Sequence, residues 1–296
     1  MYSRTKTYLI LFCGVFALSS SAIFVKTADA PSAVIAFYRL FTAGLILFPF
    51  FVFRKESRSE LKTLKCGQWF RIISAGLFLA FHYVLWFESL NFTSIASSTV
   101  LVSLQPLFSL VLERFANKKK LKKTALLGCG IALIGSFVIG FGDFGISVKS
   151  LIGDILALVA AAVISAYFFV GEKVRKDISA VTYSTLSYLF SAVILFVYIL
   201  LRNNSFIGYS GKTWLAFLGL AVVSTIGGQF VFNLLLKKVP ASAVTMSILG
   251  EPIGTCILAH LIFKDSISLQ QLVGIAVIMI GMTVYFFLPN LKSKNS

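Results

Sequence analysis

The stretch MSILGEPIGTCILAHLIF at residues 246–263 decides the class of this protein, because it is almost wholly apolar yet has a glutamate and a proline near its middle. About 20 predominantly apolar residues are enough for a helix to cross the hydrocarbon core of a bilayer. Nine further apolar runs have a comparable length, so we predict an all-α integral membrane protein with ten transmembrane helices. The predicted spans are 7–26, 33–53, 69–89, 93–113, 122–141, 152–171, 181–201, 213–236, 240–263 and 269–288.

The composition of the whole chain supports this class. Of its 296 residues, 58% are hydrophobic and 13% are charged, whereas a soluble domain is about 45–50% apolar and about 25% charged. These values exclude a soluble globular protein and a disordered chain. The apolar runs are about twice as long as the roughly 10-residue strands of a membrane barrel, so the spans are helical.

The basic residues are distributed unevenly between the two faces of the membrane. Of the 27 Lys and Arg residues, 21 lie on the side of the N-terminus and five on the opposite side, while Arg39 lies inside a span. The positive-inside rule therefore predicts that both termini are cytoplasmic. The formal net charge of +16 is accounted for by loops beside anionic lipid, so we expect the bilayer, and no nucleic acid, as a partner.

The two halves of the sequence match each other at an offset of 146 residues. The matched pairs include Pro106 with Pro252, Gly128 with Gly274 and Gly135 with Gly281. This repeat predicts two domains, 1–146 and 147–296, with five spans each. Because five is an odd number, the second half enters the membrane upside down, and inverted repeats of this kind are a recurrent architecture of secondary transporters.

Four segments carry a resemblance to a known family: LVSLQPLFSLVLERF at 101–115, the decisive stretch extended to residue 286, IAFYRLFTAGLILF at 35–48, and GDILALVAAAVISAYFF at 153–169. They resemble helices of the EamA family in the drug/metabolite transporter superfamily, as two tandem EamA repeats. The resemblance implies a multi-pass carrier of small metabolites in the bacterial cell (inner) membrane, and many similar proteins export amino acids or other metabolites.

Glu251 is the most informative polar residue inside a span. A charge within hydrocarbon costs about 2.5–3.5 kcal/mol, so such a residue is a candidate for function. Pro252 cannot donate a hydrogen bond to the carbonyl of Ile248, so the helix kinks and exposes an acceptor, with Ser247 on the same face. A carboxylate there could bind an ammonium group or take up a proton. The alternative is a structural acid that fixes helix packing.

Pro106 is the counterpart of this proline in the first half. It frees the carbonyl of Val102, and Ser103 lies nearby, so these residues could line a substrate path. Gln105 stands where the second half has Glu251, so the two halves are not chemically equivalent. The alternative is that this kink serves packing alone.

Arg39 and His82 both lie about 10 Å from the outer ends of their helices. Arg39 could bind a carboxylate bidentately, or it could lock two helices by pairing with Glu88 or by capping the carbonyls of a broken helix. His82 lies beside Trp86, and the pair could contact a substrate. The alternative is that His82 is a hydrogen-bonded histidine between packed helices.

A polar stripe formed by Thr225, Gln229 and Asn233 follows one face of the eighth span, and Tyr167 adds a hydroxyl in the sixth. Gln229, Asn233 and Tyr167 are candidates to line a cavity, although such residues are also ordinary contacts between membrane helices. The two histidines lie on different helices without a partner at i+4, so we expect no metal site. We also expect no cofactor.

These patterns favour a secondary transporter that works by alternating access, and they give little support to an enzyme, a channel or a receptor. The preferred function is export of amino acids or related compounds, with Glu251 as the coupling group if a proton is involved. Uptake of a vitamin, nucleoside or sugar-type solute is the alternative. A ten-helix unit can enclose a pathway alone, so we expect a monomer.

Overall fold

A computed structural model describes residues 4–93, 95–116, 118, 121–140, 147–264 and 268–292. Within these ranges every regular element is a helix. In chain order they are α1 (Arg4–Thr27), α2 (Ser32–Phe53), α3 (Lys55–Thr63), α4 (Cys66–Ser89), α5 (Ile95–Val102), α6 (Gln105–Ala116), α7 (Lys123–Gly140), α8 (Val148–Val174), α9 (Ala180–Leu201), α10 (Gly211–Gly219), α11 (Val231–Leu235), α12 (Ala241–Ile248), α13 (Glu251–Phe263) and α14 (Leu269–Lys292). A π-helical segment, Leu220–Phe230, joins α10 to α11.

The predicted all-α membrane fold is confirmed, with differences in individual spans. Eight helices in the described part of the chain are long and apolar enough to cross a membrane. The predicted span 122–141 corresponds to a shorter apolar helix over 123–139, and the predicted span 93–113 is divided into α5 and α6. The short polar helix α3 was not predicted.

One helix in each half is interrupted at the same position of the repeat. In the first half the Leu104 N–H donates to the Leu101 carbonyl at 3.1 Å, and in the second the Gly250 N–H donates to the Ser247 carbonyl at 2.9 Å. These two bonds are 146 positions apart. A proline follows each break by two residues and has no N–H to continue the helical ladder. The predicted kinks at both prolines are thus confirmed, and each interrupts the α-helical hydrogen-bond ladder; these interruptions are called breaks below. In the second half, Leu249 and Gly250 keep right-handed helical dihedral angles across the break.

Helices α7 and α14 form a closely packed pair through four glycines. A β-carbon on Gly128 would lie 2.7 Å from the Gly281 carbonyl oxygen, and one on Gly135 would lie 2.7 Å from that of Gly274. In the repeat Gly128 is equivalent to Gly274 and Gly135 to Gly281, so each glycine of α7 contacts the equivalent of the other α7 glycine. This reciprocal arrangement is the packing of two inverted copies around a twofold axis.

The other long helices form two bundles that exchange helices between the halves. The first bundle contains α4, α5, α6 and α8, and the second contains α1, the α10–α11 helix with its π segment, and α13. Helix α12 leads into α13 and packs mainly against α6 and α8 of the first bundle. Helix α8 of the second half thus packs with the first, and α1 of the first half packs with the second. Helices α2 and α9 lie side by side between the bundles, with α9 against α4 and α2 against the π segment.

Candidate substrate site

Glu251 and Arg39 are brought together between the two bundles. Glu251 begins α13 directly after the break, Pro252 follows it in the first turn, and the Glu251 side chain is partly exposed. Arg39 lies near the middle of α2 and is only 2% exposed. The two side chains interact electrostatically. A positive and a negative group therefore share the region where the second half is broken.

The guanidinium of Arg39 is held by three helices. Its Nε donates to Thr225 Oγ1 at 2.8 Å, and its Nη1 donates to Ser21 Oγ at 2.9 Å. The guanidinium carbon lies 5.1 Å from the ring centroid of Tyr83, a cation–π distance. Ser21 and Thr225 belong to the second bundle and Tyr83 to the first, so Arg39 links the two.

The alternative pairing of Arg39 with Glu88 is not present. One carboxylate oxygen of Glu88 accepts a hydrogen bond from the Tyr198 hydroxyl at 2.7 Å and lies 3.6 Å from Arg202 Nη2. These groups sit where α4 and α9 end, away from the breaks. Glu88 therefore joins two helix ends.

A buried network of hydroxyl and amide groups adjoins this region. Asn233 Nδ2 donates to the Tyr167 hydroxyl at 2.7 Å and to Ser184 Oγ at 2.9 Å. The Gln229 amide lies near the Tyr167 hydroxyl. Among the described residues, Asn233 Oδ1 and Gln229 Nε2 are buried and have no hydrogen-bond partner. The three predicted residues thus form one cluster that retains unused hydrogen-bonding capacity.

His82 is fixed against the neighbouring helix α8. Its Nδ1 lies 3.1 Å from the carbonyl oxygen of Ala160, so this nitrogen carries the proton and donates. The imidazole stacks on Trp86, with ring centroids 5.9 Å apart and planes at 19°. In the described part of the chain, Trp86 Nε1 is buried without a hydrogen-bond partner. The alternative of a hydrogen-bonded histidine at a helix contact fits these distances.

The residues beside the first break have packing contacts. Pro106 is buried in the first turn of α6. Ser103 Oγ donates to the Val100 carbonyl at 2.6 Å and lies 3.0 Å from Ser136 Oγ of α7. Ser103 is therefore directed toward α7, away from Glu251.

Ser247 also lies away from the charged pair. Its hydroxyl donates to the Ala243 carbonyl at 2.8 Å. It lines a mainly apolar cavity of about 340 Å³ between α1, the α12–α13 helix and α14, and Gly250 of the break lies in the same wall. The break in the second half therefore borders both Glu251 and this cavity.

Two glutamates that the sequence analysis did not include in the site bind the start of α12. The Ala241 N–H donates to Glu172 Oε2 at 2.8 Å, and the Ser242 N–H donates to Glu113 Oε1 at 3.0 Å. Both glutamates lie in the last turn of an apolar helix, where sequence gives no sign that another helix begins opposite them.

Arg175 forms a further link at the same end of the molecule. Its guanidinium donates from Nε to the Asn233 carbonyl at 2.9 Å, and from Nη1 to the Ile178 carbonyl. Burial lowers the pKa of Arg175, and the carboxylate of Glu60 opposes this shift. Arg175 therefore connects the end of α8 with α11.

The described residues contain no group of three or more His, Cys, Asp or Glu side chains that could hold a metal ion. The charged and polar groups of the region are instead spread over α2, α4, α8, α11 and α13 and the π segment. They can bind a polar solute through charge and hydrogen bonds.

The sequence model of the EamA-like transporter family matches residues 5–141 and again residues 151–287. This chain belongs to the EamA-like transporter family. The two EamA matches begin 146 positions apart, as the internal repeat does. The protein is therefore a multi-pass membrane transporter with two EamA repeats, and not an enzyme.

Several bacterial transporters are similar to this EamA protein. The riboflavin transporter ImpX of Fusobacterium nucleatum is 28% identical over 196 residues, which cover 64% of this chain and 65% of that protein, just under two thirds of its length. The uncharacterized transporters YwfM and YdfC of Bacillus subtilis are each 25% identical, over 79% and 88% of this chain and 78% and 83% of their own lengths.

A protein of known crystal structure has the same fold as this EamA chain. The two structures have a TM-score of 0.81 at 19% sequence identity, over 98% of this chain and 99% of that chain. This similarity concerns the fold alone.

Proposed function

We propose that this EamA transporter is a secondary carrier that moves a small metabolite by alternating access, with Glu251 binding the amino group of the substrate or a proton. The observation that carries the proposal is the position of Glu251, an acid at the start of α13 directly after the break, where it interacts electrostatically with the buried Arg39. Broken helices near the midplane are typical substrate sites of inverted-repeat carriers.

The proposed motion is a rocking of the two bundles about the region of Arg39. Arg39 contacts Ser21 and Thr225 in the second bundle and Tyr83 in the first. These contacts engage the guanidinium already, so we assign Arg39 to positioning. We assign the contact with the substrate to Glu251, because it lies directly after the break in the second half.

The preferred substrates are amino acids or related compounds, moved outward. An ammonium group forms charge-assisted hydrogen bonds with a carboxylate such as Glu251. Gln229 and Asn233, whose amides have unused hydrogen-bonding atoms among the described residues, would contact the rest of the solute.

The second candidate is uptake of a vitamin-type solute with an aromatic ring. The similarity to a riboflavin transporter supports this alternative. Trp86 also supports it, because its indole N–H lacks a hydrogen-bond partner within the described ranges and its ring already stacks on His82. Aromatic side chains of this kind bind planar rings.

We place the carrier in the bacterial cell (inner) membrane as a monomer with both termini cytoplasmic. The distribution of Lys and Arg supports this orientation, and the bacterial relatives support the location. A reporter that is active only in the cytoplasm should be active when it is fused to either terminus. Activity of a reporter on the opposite face would contradict the orientation.

The test compares metabolites outside cells that produce wild type, Glu251→Gln or Glu88→Gln at matched membrane levels. Glu88→Gln is the matched control, because Glu88 joins helix ends and lies away from the breaks. We expect an amino compound to accumulate outside with wild type and the control. Loss of the charged hydrogen bond predicts an about 10- to 100-fold lower rate with Glu251→Gln.

Uptake assays in proteoliposomes then distinguish the two candidates. Riboflavin uptake that depends on the wild-type protein, with no movement of amino acids, would support the second candidate. Full transport by Glu251→Gln, with unchanged dependence on pH, would overturn the role of Glu251.

A further inference from the structure

The start of α12 has no cap of its own. Pro240 occupies the N-cap position, and its side chain makes no capping hydrogen bond. The first N–H groups of a helix need acceptors, and the positive end of the helix dipole favours negative groups there. Glu172 and Glu113 supply both, since their carboxylates accept from the Ala241 and Ser242 N–H groups.

These two bonds cross between the bundles. Glu172 is on α8 and Glu113 is on α6, both in the first bundle, whereas α12 is the first part of the span Ala241–Ile262, which continues into α13 of the second bundle. Helix α12 packs against α6 and α8 at this end. Glu113 is only 6% exposed, so water cannot easily replace its bond to α12. Separation of the bundles at this end would leave the carboxylates and the N–H groups without these partners.

The opposite end of the molecule is built differently. Near the start of α5, the equivalent of α12 in the repeat, the hydroxyls of Thr93 and Ser97 each donate to Asp154 Oδ1 at 2.7 Å. Asp154 is on α8, in the same bundle as α5. These bonds move with their bundle and do not resist its separation from the other.

We propose that Glu113 and Glu172 form a carboxylate gate that holds the two bundles closed on the face predicted to be cytoplasmic, and that both bonds break when this face opens. The proposal rests on the alternating access proposed above. It assigns to these glutamates a role in the transport cycle separate from substrate binding, because they bond to the start of α12, about two helical turns before the break at Gly250.

The test measures how readily a cysteine behind the gate reacts from the predicted cytoplasmic face. Ser109 is the reporter position: it lies one turn before Glu113 on the same face of α6 and is fully buried. Ser109→Cys is placed in a background without the native cysteines at positions 13, 66, 129 and 256. Inside-out vesicles are then treated with a membrane-impermeant maleimide.

Glu60→Ala is the matched control for the double variant Glu113→Ala/Glu172→Ala. Glu60 also caps a helix start, because its carboxylate accepts from the Ser179 N–H at 2.7 Å. However, Glu60 is on α3 and caps α9, so its loss removes a similar bond without touching α12. We expect labelling to be about tenfold faster in the double variant and unchanged in Glu60→Ala.

The conservative pair Glu113→Gln/Glu172→Gln should label at an intermediate rate, because a carboxamide oxygen still accepts an N–H bond without the charge. This pair also replaces the alanine variant if the latter does not fold. Equal labelling of wild type and gate variants, or an equal increase with Glu60→Ala, would overturn the gate. The readout needs no substrate, so a failure to find transport leaves this result interpretable.

Discussion

Arg39 and Glu251 carry opposite charges in the same region, but their surroundings give them different tasks. Arg39 is almost completely buried, and hydroxyls accept hydrogen bonds from its Nε and its Nη1. A buried charge must be paired or hydrogen bonded, because transfer from water is otherwise costly. Glu251 lies directly after the break, and we propose that its carboxylate exchanges partners during a cycle.

The hydroxyl of Thr225 provides a direct test of how much these bonds stabilise the protein. Thr225→Val removes the acceptor of Arg39 Nε with almost no change in shape, and a buried charged donor left without a partner costs about 1–3 kcal/mol or more. We expect a lower melting temperature in detergent.

Thr185→Val is the matched control for this change. Thr185 is buried on α9, and its hydroxyl has no hydrogen-bond partner among the described residues. We expect its melting temperature to stay the same or to rise. Equal destabilisation by the two variants would show that the bond from Arg39 contributes little.

Sequence alone could identify the chemistry of these residues but not their partners. Glu251, Arg39 and Asn233 stand out because charge and amide groups are rare inside apolar runs. Glu113 does not stand out, because a glutamate near the end of a span can reach water. Its role appears only when α12 is placed opposite it, and that placement depends on packing between distant helices.

At the scale of the element, the pair α7–α14 shows that the position of a glycine on a helix decides whether it contacts the neighbouring helix. A β-carbon on Gly128 would lie 2.6 Å from the backbone nitrogen of Tyr285, whereas one on Gly130 would meet nothing within 4 Å. Small residues allow membrane helices to approach this closely. The two glycines flank position 129, yet they face different surroundings.

This difference predicts opposite effects of the same substitution. Gly128→Ala should lower the melting temperature, because backbone atoms of α14 must move to admit the methyl group. Gly130→Ala should be neutral or stabilising by up to about 1 kcal/mol, since alanine favours the helix. Thermal unfolding in detergent measures both, and a loss of stability with Gly130→Ala would contradict the packing.

The prolines made the two broken helices predictable, whereas α3 and the π segment were not. A proline removes an N–H wherever it stands, so the break follows from local chemistry. The sequence of α3 contains five charged residues in nine, which resembles a loop. Its helix is tied by Glu60 to the start of α9, a contact 119 residues away that no local pattern contains.

At the scale of the whole molecule, the exchange of helices makes each half depend on the other. Helix α1 packs on α13 and the π segment, and α8 packs on α4, α5 and α6. A half produced alone would expose surfaces shaped for the other half. The periodic apolar pattern predicts that these helices exist but does not reveal which of them pack together.

Separate production of residues 1–146 and 147–296 tests this dependence. We expect each half alone to aggregate or to elute as a broad peak in size-exclusion chromatography, and the two halves produced together to copurify through a tag on one. A full chain cut at an engineered protease site between residues 146 and 147 is the control. A monodisperse, folded half on its own would contradict the exchange.

Helix exchange also sets an order of events during synthesis. Helix α1 enters the membrane first, but α13 begins at Glu251, so at about 5–20 residues per second α1 waits roughly 10–50 s for this partner. Two serines of α1 have hydrogen-bond partners within the helix itself. Ser19 Oγ donates to the Val15 carbonyl at 2.9 Å, and Ser20 Oγ donates to the Ala17 carbonyl at 2.6 Å. Hydroxyls bonded to their own helix can face lipid. Once α13 is present, the Ser19 hydroxyl shares its one proton between the Val15 carbonyl and the Glu251 carbonyl, which lies 3.0 Å away. The first helix to leave the ribosome therefore gains this contact only after the ninth span has been made.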